Sequence, residues 1–236
     1  SVLPFDGSGE RTPSRSTVAE ELAEARQLDA QVRLLYQQGR SSDAIELAKR
    51  ALTIRENALG AEHPNTARSL NNLALLYESL GAYANAEPLL VRALAILEKS
   101  LGPEHPDTAT SLDSLAGLYD SMSAYAKAEP IYLRALAIRE KSLGLEHPDT
   151  AKSLNHLALL YMALGAYAKA APLLSRALAI DETVLGLEHP DTAASINNLA
   201  GLYDSMGDYA KAEPLYLRAL AIREKVLGPE HPDTAR

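Results

Sequence analysis

The chain has 236 residues, 31 of them Asp or Glu against 23 Lys or Arg, and a net charge of −8, a balance that disfavours duplex nucleic acid and anionic membranes as partners. It has no cysteine, which excludes disulfides and thiolate metal sites. No apolar run approaches the roughly 18 residues of a membrane span and no signal-peptide pattern opens the chain, so the expected setting is the cytoplasm.

Residues 1–16, SVLPFDGSGERTPSRS, are rich in Gly, Ser and Pro and read as a flexible tail or linker. VLPF at 2–5 is the apolar stretch of that tail and holds the chain's one Phe. From there a pattern repeats. The pair LG recurs at 59, 101, 143, 185 and 227, a constant step of 42, and each pair leads into AEHPNTA, PEHPDTA or LEHPDTA. A fixed period of this length signals stacked units that cannot bury their apolar faces alone.

The units divide as a degenerate capping unit at 17–60, four full units at 61–102, 103–144, 145–186 and 187–228, and a truncated start of a sixth at 229–236. In the capping unit the second helical pattern fits, but Gln31 and Val32 stand where Leu and Ala are expected. In the next unit the spacing predicts a helix from about Pro64 to Leu80, with Leu70, Leu73, Ala74 and Tyr77 on one buried stripe. Gly81 suits a left-handed end to it. A second helix runs from about Ala84 to Leu101, with Ala86, Leu90, Ala93, Leu94 and Leu97 inward and Tyr83 in the turn. Pro88 reads as lying near its fourth position, where a missing N–H costs nothing. Alanine columns (74, 116, 158, 200; 86, 128, 170, 212; 93, 135, 177, 219) bring the two helices close, and the tyrosine column 77, 119, 161, 203 fills the space between units.

Leu70, Leu73, Ala74, Tyr77, Ala86, Leu90 and Ala93 resemble the tetratricopeptide repeat (TPR) pattern. The phrases LNNLALLY, RALAIREK and LGxEHPDTA are similar to the 42-residue subfamily of kinesin light chains. The resemblance, over about 25–236, implies an all-α, right-handed superhelical solenoid of antiparallel helix hairpins. It also implies a non-catalytic scaffold that binds a protein or peptide ligand in its concave groove, as a docking or sensor arm of a larger protein. No cofactor is implied. The alternative is a structural array that self-associates end to end.

EHPDTA carries metal-type residues, but successive copies stand about 10–20 Å apart, a helix-pair width, whereas ligands converge within about 2 Å of one ion. The motif therefore reads as a joint, with Gly102 ending one helix, Pro106 early in the next and Asp107 at its positive end. The concave face supplies the candidate binding residues. One column is Asn71, Asp113, Asn155, Asn197; the next is Asn72, Ser114, His156, Asn198. Paired donor and acceptor groups of this kind suit an extended peptide backbone, or else bond neighbouring helices. Arg68, Thr110, Lys152, Ala194 and Arg236 give a basic edge, and Glu78, Asp120, Met162 and Asp204 an acidic one. Kinesin light chains bind acidic, aromatic-containing peptides through basic groove residues, and the acidic column sets this chain apart. Arg92, Arg134, Arg176 and Arg218 are expected on the outer side, solvated or paired with acids.

Overall fold

The computed structural model describes residues 15–228; the VLPF stretch, His231, Arg236 and the start of the sixth unit lie outside them. Among the described residues there are ten helices and no strand. They are α1 (Arg15–Gln37), α2 (Ser41–Leu59), α3 (Pro64–Ser79), α4 (Tyr83–Ser100), α5 (Pro106–Ser121), α6 (Tyr125–Ser142), α7 (Pro148–Ala163), α8 (Tyr167–Val184), α9 (Pro190–Ser205) and α10 (Tyr209–Leu227). Each odd helix packs on the even helix after it, giving the all-α helix hairpins expected from the repeat. The chain forms two compact units, divided between Leu101 and Gly102. In the first, α2 also packs on α3; in the second, α6 packs on α7 and α8 on α9.

The same joint recurs at the start of each later hairpin. Gly102 has φ 100°, a conformation L side chains rarely adopt, and its carbonyl accepts the hydroxyl of Thr108 at 2.8 Å. Thr66, Thr150 and Thr192 bond Gly60, Gly144 and Gly186 in the same way, and all four threonines are fully buried. The histidines cap the odd helices. Nδ1 of His63, His105, His147 and His189 each accepts the backbone N–H two residues on, at 3.1 Å, with Pro opening the helix. A ring nitrogen thus satisfies one of the orphan donors of a helix N-terminus.

Two local readings need correction. Tyr83 is the first residue of α4 rather than part of the turn, and Pro88 is therefore its sixth residue. At that depth proline removes a bond that the Ala84 carbonyl would otherwise accept. The loss recurs at Pro130, Pro172 and Pro214, always within the first two turns.

The alanine columns at 74, 86 and 93 and their equivalents are at most 2% exposed, and the Ala that closes the joint motif (67, 109, 151, 193) is fully buried as well. With Cβ the whole side chain at these points, helix backbones approach closely while Leu70, Leu112, Leu154 and Ile196 fill the remaining space. Tyr161 sends its hydroxyl to Glu129 of the preceding repeat at 2.8 Å, and Lys169 lies 4.7 Å over its ring. On the outer side Arg92, Arg176 and Arg218 pair with Glu56, Glu140 and Glu182 of the hairpin before. Exposed pairs of this kind contribute at most about 1 kcal/mol each. In the capping hairpin Val32 takes the small-residue position and is buried, while Gln31 is exposed.

Each odd helix ends in a turn where residue C′ donates to the carbonyl three residues back, as Gly81 does to Glu78 at 2.8 Å, and the next residue to the carbonyl five back, as Ala82 does to Tyr77 at 2.8 Å. Ser123 makes the same turn at φ 56° without being glycine. Relief of that side-chain strain outweighs the extra freedom gained by the unfolded chain. Ser123→Gly should therefore raise stability by roughly 0.5–1 kcal/mol, read as a higher urea midpoint at unchanged slope.

Candidate functional site

The odd helices carry the candidate residues, and within the second unit α5 touches α7 and α7 touches α9, so their side chains share one face. Beneath that face lies a column that sequence reading passed over. Position 55 on α2 recurs as Leu97, Arg139, Asp181 and Arg223 on the later even helices. Arg55 and Arg139 are buried, at 8% and 6% exposure. Arg55 pairs with Asp29 of its own hairpin and bonds Ser69 of the next. Arg139 pairs with Asp113, bonds Ser153 of the next hairpin, and reaches Thr110 at 3.3 Å.

This places the sequence candidates unequally. Asp113 is buried at 8% exposure, with one carboxylate oxygen on Arg139 and the other lacking any hydrogen-bond partner. Asn155 donates to Ser195 at 2.8 Å and accepts from Asn198 at 3.2 Å, so these residues join α7 to α9. Ser114 donates to the Thr110 carbonyl of its own helix. Asn71 and Asn197 are half-buried. Asn72, Arg68, Lys152, His156 and Asp204 are exposed, while Glu78 and Asp120 are half-buried. His156 sets its ring 5.8 Å from that of Tyr132, with Nδ1 3.7 Å from Asp113. Burial pushes the Asp120 carboxyl up, against a smaller pull down from His156.

Each unit has a pocket lined by residues of its odd helices, and the two are built on equivalent positions of their repeats. In the first unit a cavity of about 380 Å³ is lined by Arg26, Arg33, Arg55, Arg68, Asp29 and Asn72. Arg26, Arg33 and Arg68 pair with no carboxylate among the described residues. In the second unit a cavity of about 210 Å³ is lined by Lys152, Asn155, His156, Asp181, Asp191 and Asn198. Asp181 forms its floor, only 3% exposed, and accepts the Ser195 hydroxyl at 2.6 Å. Burial pushes its carboxyl up; the Ser195 hydrogen bond opposes this and Asp191 adds to it. The first pocket is basic and the second has an acidic floor. Of the first, only Arg68 and Asn72 were sequence candidates. The signal for the rest was the charge at position 55 and its equivalents, four residues after the buried Ala51, Ala135 and Ala177 and on the same inward stripe.

The tetratricopeptide repeat family model matches residues 24–99, 71–141, 121–183, 149–225 and 191–236. A Podosopora anserina structure named for a kinesin light chain and its nearly identical TPR-like repeats is 32% identical. The match covers 91% of this chain and 98% of that one, with a TM-score of 0.65. BtubC (BKLC) from P. vanneervenii is 26% identical over 90% of this chain and 91% of that one, at TM-score 0.71. A Rap protein, solved complexed with competence and sporulation factor, shares the fold: 20% identity, 89% of this chain, 58% of that one and TM-score 0.74. No curated protein sequence matches.

Two stability measurements test the buried column. Asp113→Ala leaves Arg139 buried without its carboxylate and should cost about 3–5 kcal/mol in urea unfolding. The pair Asp113→Asn/Arg139→Leu, which recreates the natural combination of Asn71 and Leu97, should recover most of that loss. At Asp181 the native state holds a proton to higher pH than the unfolded chain. Its contribution is therefore full below the ordinary carboxylate range and is lost as pH rises through the raised value. Asp181→Asn should remove that part of the pH dependence and be more stable than the parent at neutral pH, as read by unfolding midpoints across the acid-to-neutral range.

Proposed function

The chain belongs to the tetratricopeptide repeat family, in its kinesin-light-chain-like branch, and on that premise we propose that it binds an extended segment of a partner protein along the face of its odd helices. Arrays of this family are protein-interaction scaffolds and are generally non-catalytic. Among the described residues no helix is long and apolar enough to cross a membrane.

The observation that carries the reading is that each unit has a pocket lined by residues of its own odd helices, at equivalent repeat positions. Their polar side chains are only partly used by packing: Arg26, Arg33 and Arg68 stand without acid partners among the described residues, and Asn72 and His156 are exposed, as is Asp204 farther along α9. On the opposite side the arginines are taken up by glutamates of the preceding hairpin. Within this reading Asn72, Arg68, Lys152, His156, Glu78, Asp120 and Asp204 meet the ligand. Asp113, Ser114, Asn71, Asn155, Asn197 and Asn198 form the wall behind them, and Asn198 reaches the pocket edge. Each neutral hydrogen bond contributes only about 0.5–1.5 kcal/mol net, so charged pockets rather than an amide ladder would set specificity.

Panning a displayed library of random peptides on the immobilised chain tests this. Binders should be enriched, and Arg68→Ala/Asn72→Ala/Asp204→Ala, all exposed positions, should weaken them by at least about tenfold, or 1.4 kcal/mol, at unchanged helicity. Arg92→Ala/Arg176→Ala on the outer side should leave them unchanged. The reading fails if no binder is enriched, or if the outer variant alone abolishes binding.

A further inference from the structure

We infer that the second unit holds a receptor pocket for the guanidinium of a ligand's arginine, at the one point in α2, α6 and α8 where the array's own arginine is replaced by a carboxylate. The inference rests on the reading that ligands lie along the odd-helix face. In the first and third hairpins the space between consecutive odd helices is plugged from below. The guanidinium of Arg55 spans Asp29 and Ser69, and that of Arg139 spans Asp113 and Ser153. A planar, five-donor cation fits there because a carboxylate and a hydroxyl face it from two helices.

The fourth hairpin keeps the setting and loses the plug. Asp181 stands in the arginine position and Asn155 in the place of Asp113. The serine is retained, and Ser195 now donates to Asp181 and accepts from Asn155. An aspartate side chain is three heavy-atom bonds shorter than arginine's reach, and the space it vacates is the cavity of about 210 Å³ that opens on the face. A cavity of about 150 Å³ admits benzene, so the smaller planar guanidinium and part of its stem fit.

Charge points the same way as shape. Asp181 is 97% buried by its 3% exposure, and its oxygens meet a hydroxyl but no cation within ion-pair distance. Lys152, the nearest base on the rim, is held by Asp149 at 3.2 Å and Asp191 at 3.8 Å. Asp191 adds a second carboxylate to the wall. A buried carboxylate without a counter-ion at the bottom of an open cavity favours a cation delivered from outside, and burial of Asp181 is the main force raising its carboxyl. The equivalent pocket of the first unit is the larger of the two, but it is lined by Arg55 and by Arg26, Arg33 and Arg68, so it would repel the same group.

The test is an NMR titration of the whole chain with acetyl-arginine amide, acetyl-lysine amide and acetyl-citrulline amide, the last an uncharged isostere of arginine. Arginine amide should bind saturably in the millimolar range expected of a fragment, moving the amides of Asn155, His156, Ala194 and Asn198. Citrulline amide should bind at least about tenfold more weakly. Asn155→Asp/Asp181→Arg, which restores the plug found in the third hairpin, should abolish binding while the chain stays folded. Asp181→Asn, which keeps the cavity and removes the charge, should weaken binding to the citrulline level. Equal binding of arginine and citrulline amides, or undiminished binding to the plugged variant, overturns the inference; equal binding of lysine amide overturns its choice of guanidinium. The two readings fail separately. Panned peptides that bind the plugged variant as tightly as the parent sink the pocket and spare the groove. Peptides indifferent to the face variants sink the groove whatever arginine amide does.

Discussion

A hairpin of two helices has more apolar surface than it can cover with itself, so each depends on receiving the next one at a fixed angle. Within a unit the bond from a buried threonine to the carbonyl of a glycine at φ near 100° constrains that angle, as with Thr150 and Gly144 or Thr192 and Gly186. The histidine cap three residues before the threonine completes the joint, because the incoming helix then starts with one of its orphan donors satisfied. Once the angle is fixed, alanine at three columns becomes sufficient for close packing. In the second unit the odd helices α5, α7 and α9 are then left side by side, with one flank carrying the exposed polar residues.

That uncovered flank is where structure and function compete for the same residues. A polar side chain at its edge can turn inward and tie two hairpins together, or outward and meet a ligand. Asp113 turns inward because Arg139 rises to it from the even helix; Asn155 turns inward because Ser195 and Asn198 accept and donate to it. Asn72 has no such partner and remains exposed; His156 also remains exposed, with its ring against Tyr132 and Nδ1 3.7 Å from Asp113. The identity of the residue on the even helix thus decides what the odd helix offers. A single column, Arg55 to Arg223, sets whether each stretch of the face is sealed, apolar or open.

The period explains which parts of this were legible in the sequence. A feature present in every copy is read several times over, so the helices, their alanine columns and the joint follow from spacing alone. The cap is not legible from spacing: Asp107 reads only as an acid at the helix's positive end, while the ring of His105, two residues before it, is the acceptor. Pro88 was placed two positions early because helix starts are marked by the chain's hydrogen bonds, and Asn85 and Ala86 already bond back to Ala82. The site was harder for a different reason. What distinguishes one pocket from another is what departs from the repeat, and a departure such as Asp181 has meaning only beside Asn155 and Ser195, 26 residues before it and 14 after.

The same logic bears on how a repeat array acquires specificity without altering its fold. Residues of the joint are fixed by backbone geometry and cannot vary freely; those of the outer ladder lie in water, where an ion pair is weakly coupled to everything else. The buried column is intermediate. Replacing arginine by leucine there, as at Leu97, exchanges a desolvated ion pair for apolar packing, a change that is often close to neutral in stability. Replacing it by aspartate, with asparagine opposite, keeps the serine bonded and opens a cavity at the cost of one uncompensated carboxylate. Such substitutions leave the helices where they were and change only what the face presents. A repeat protein can therefore revise its partner one column at a time, and the position to watch is on the helix that the ligand never touches.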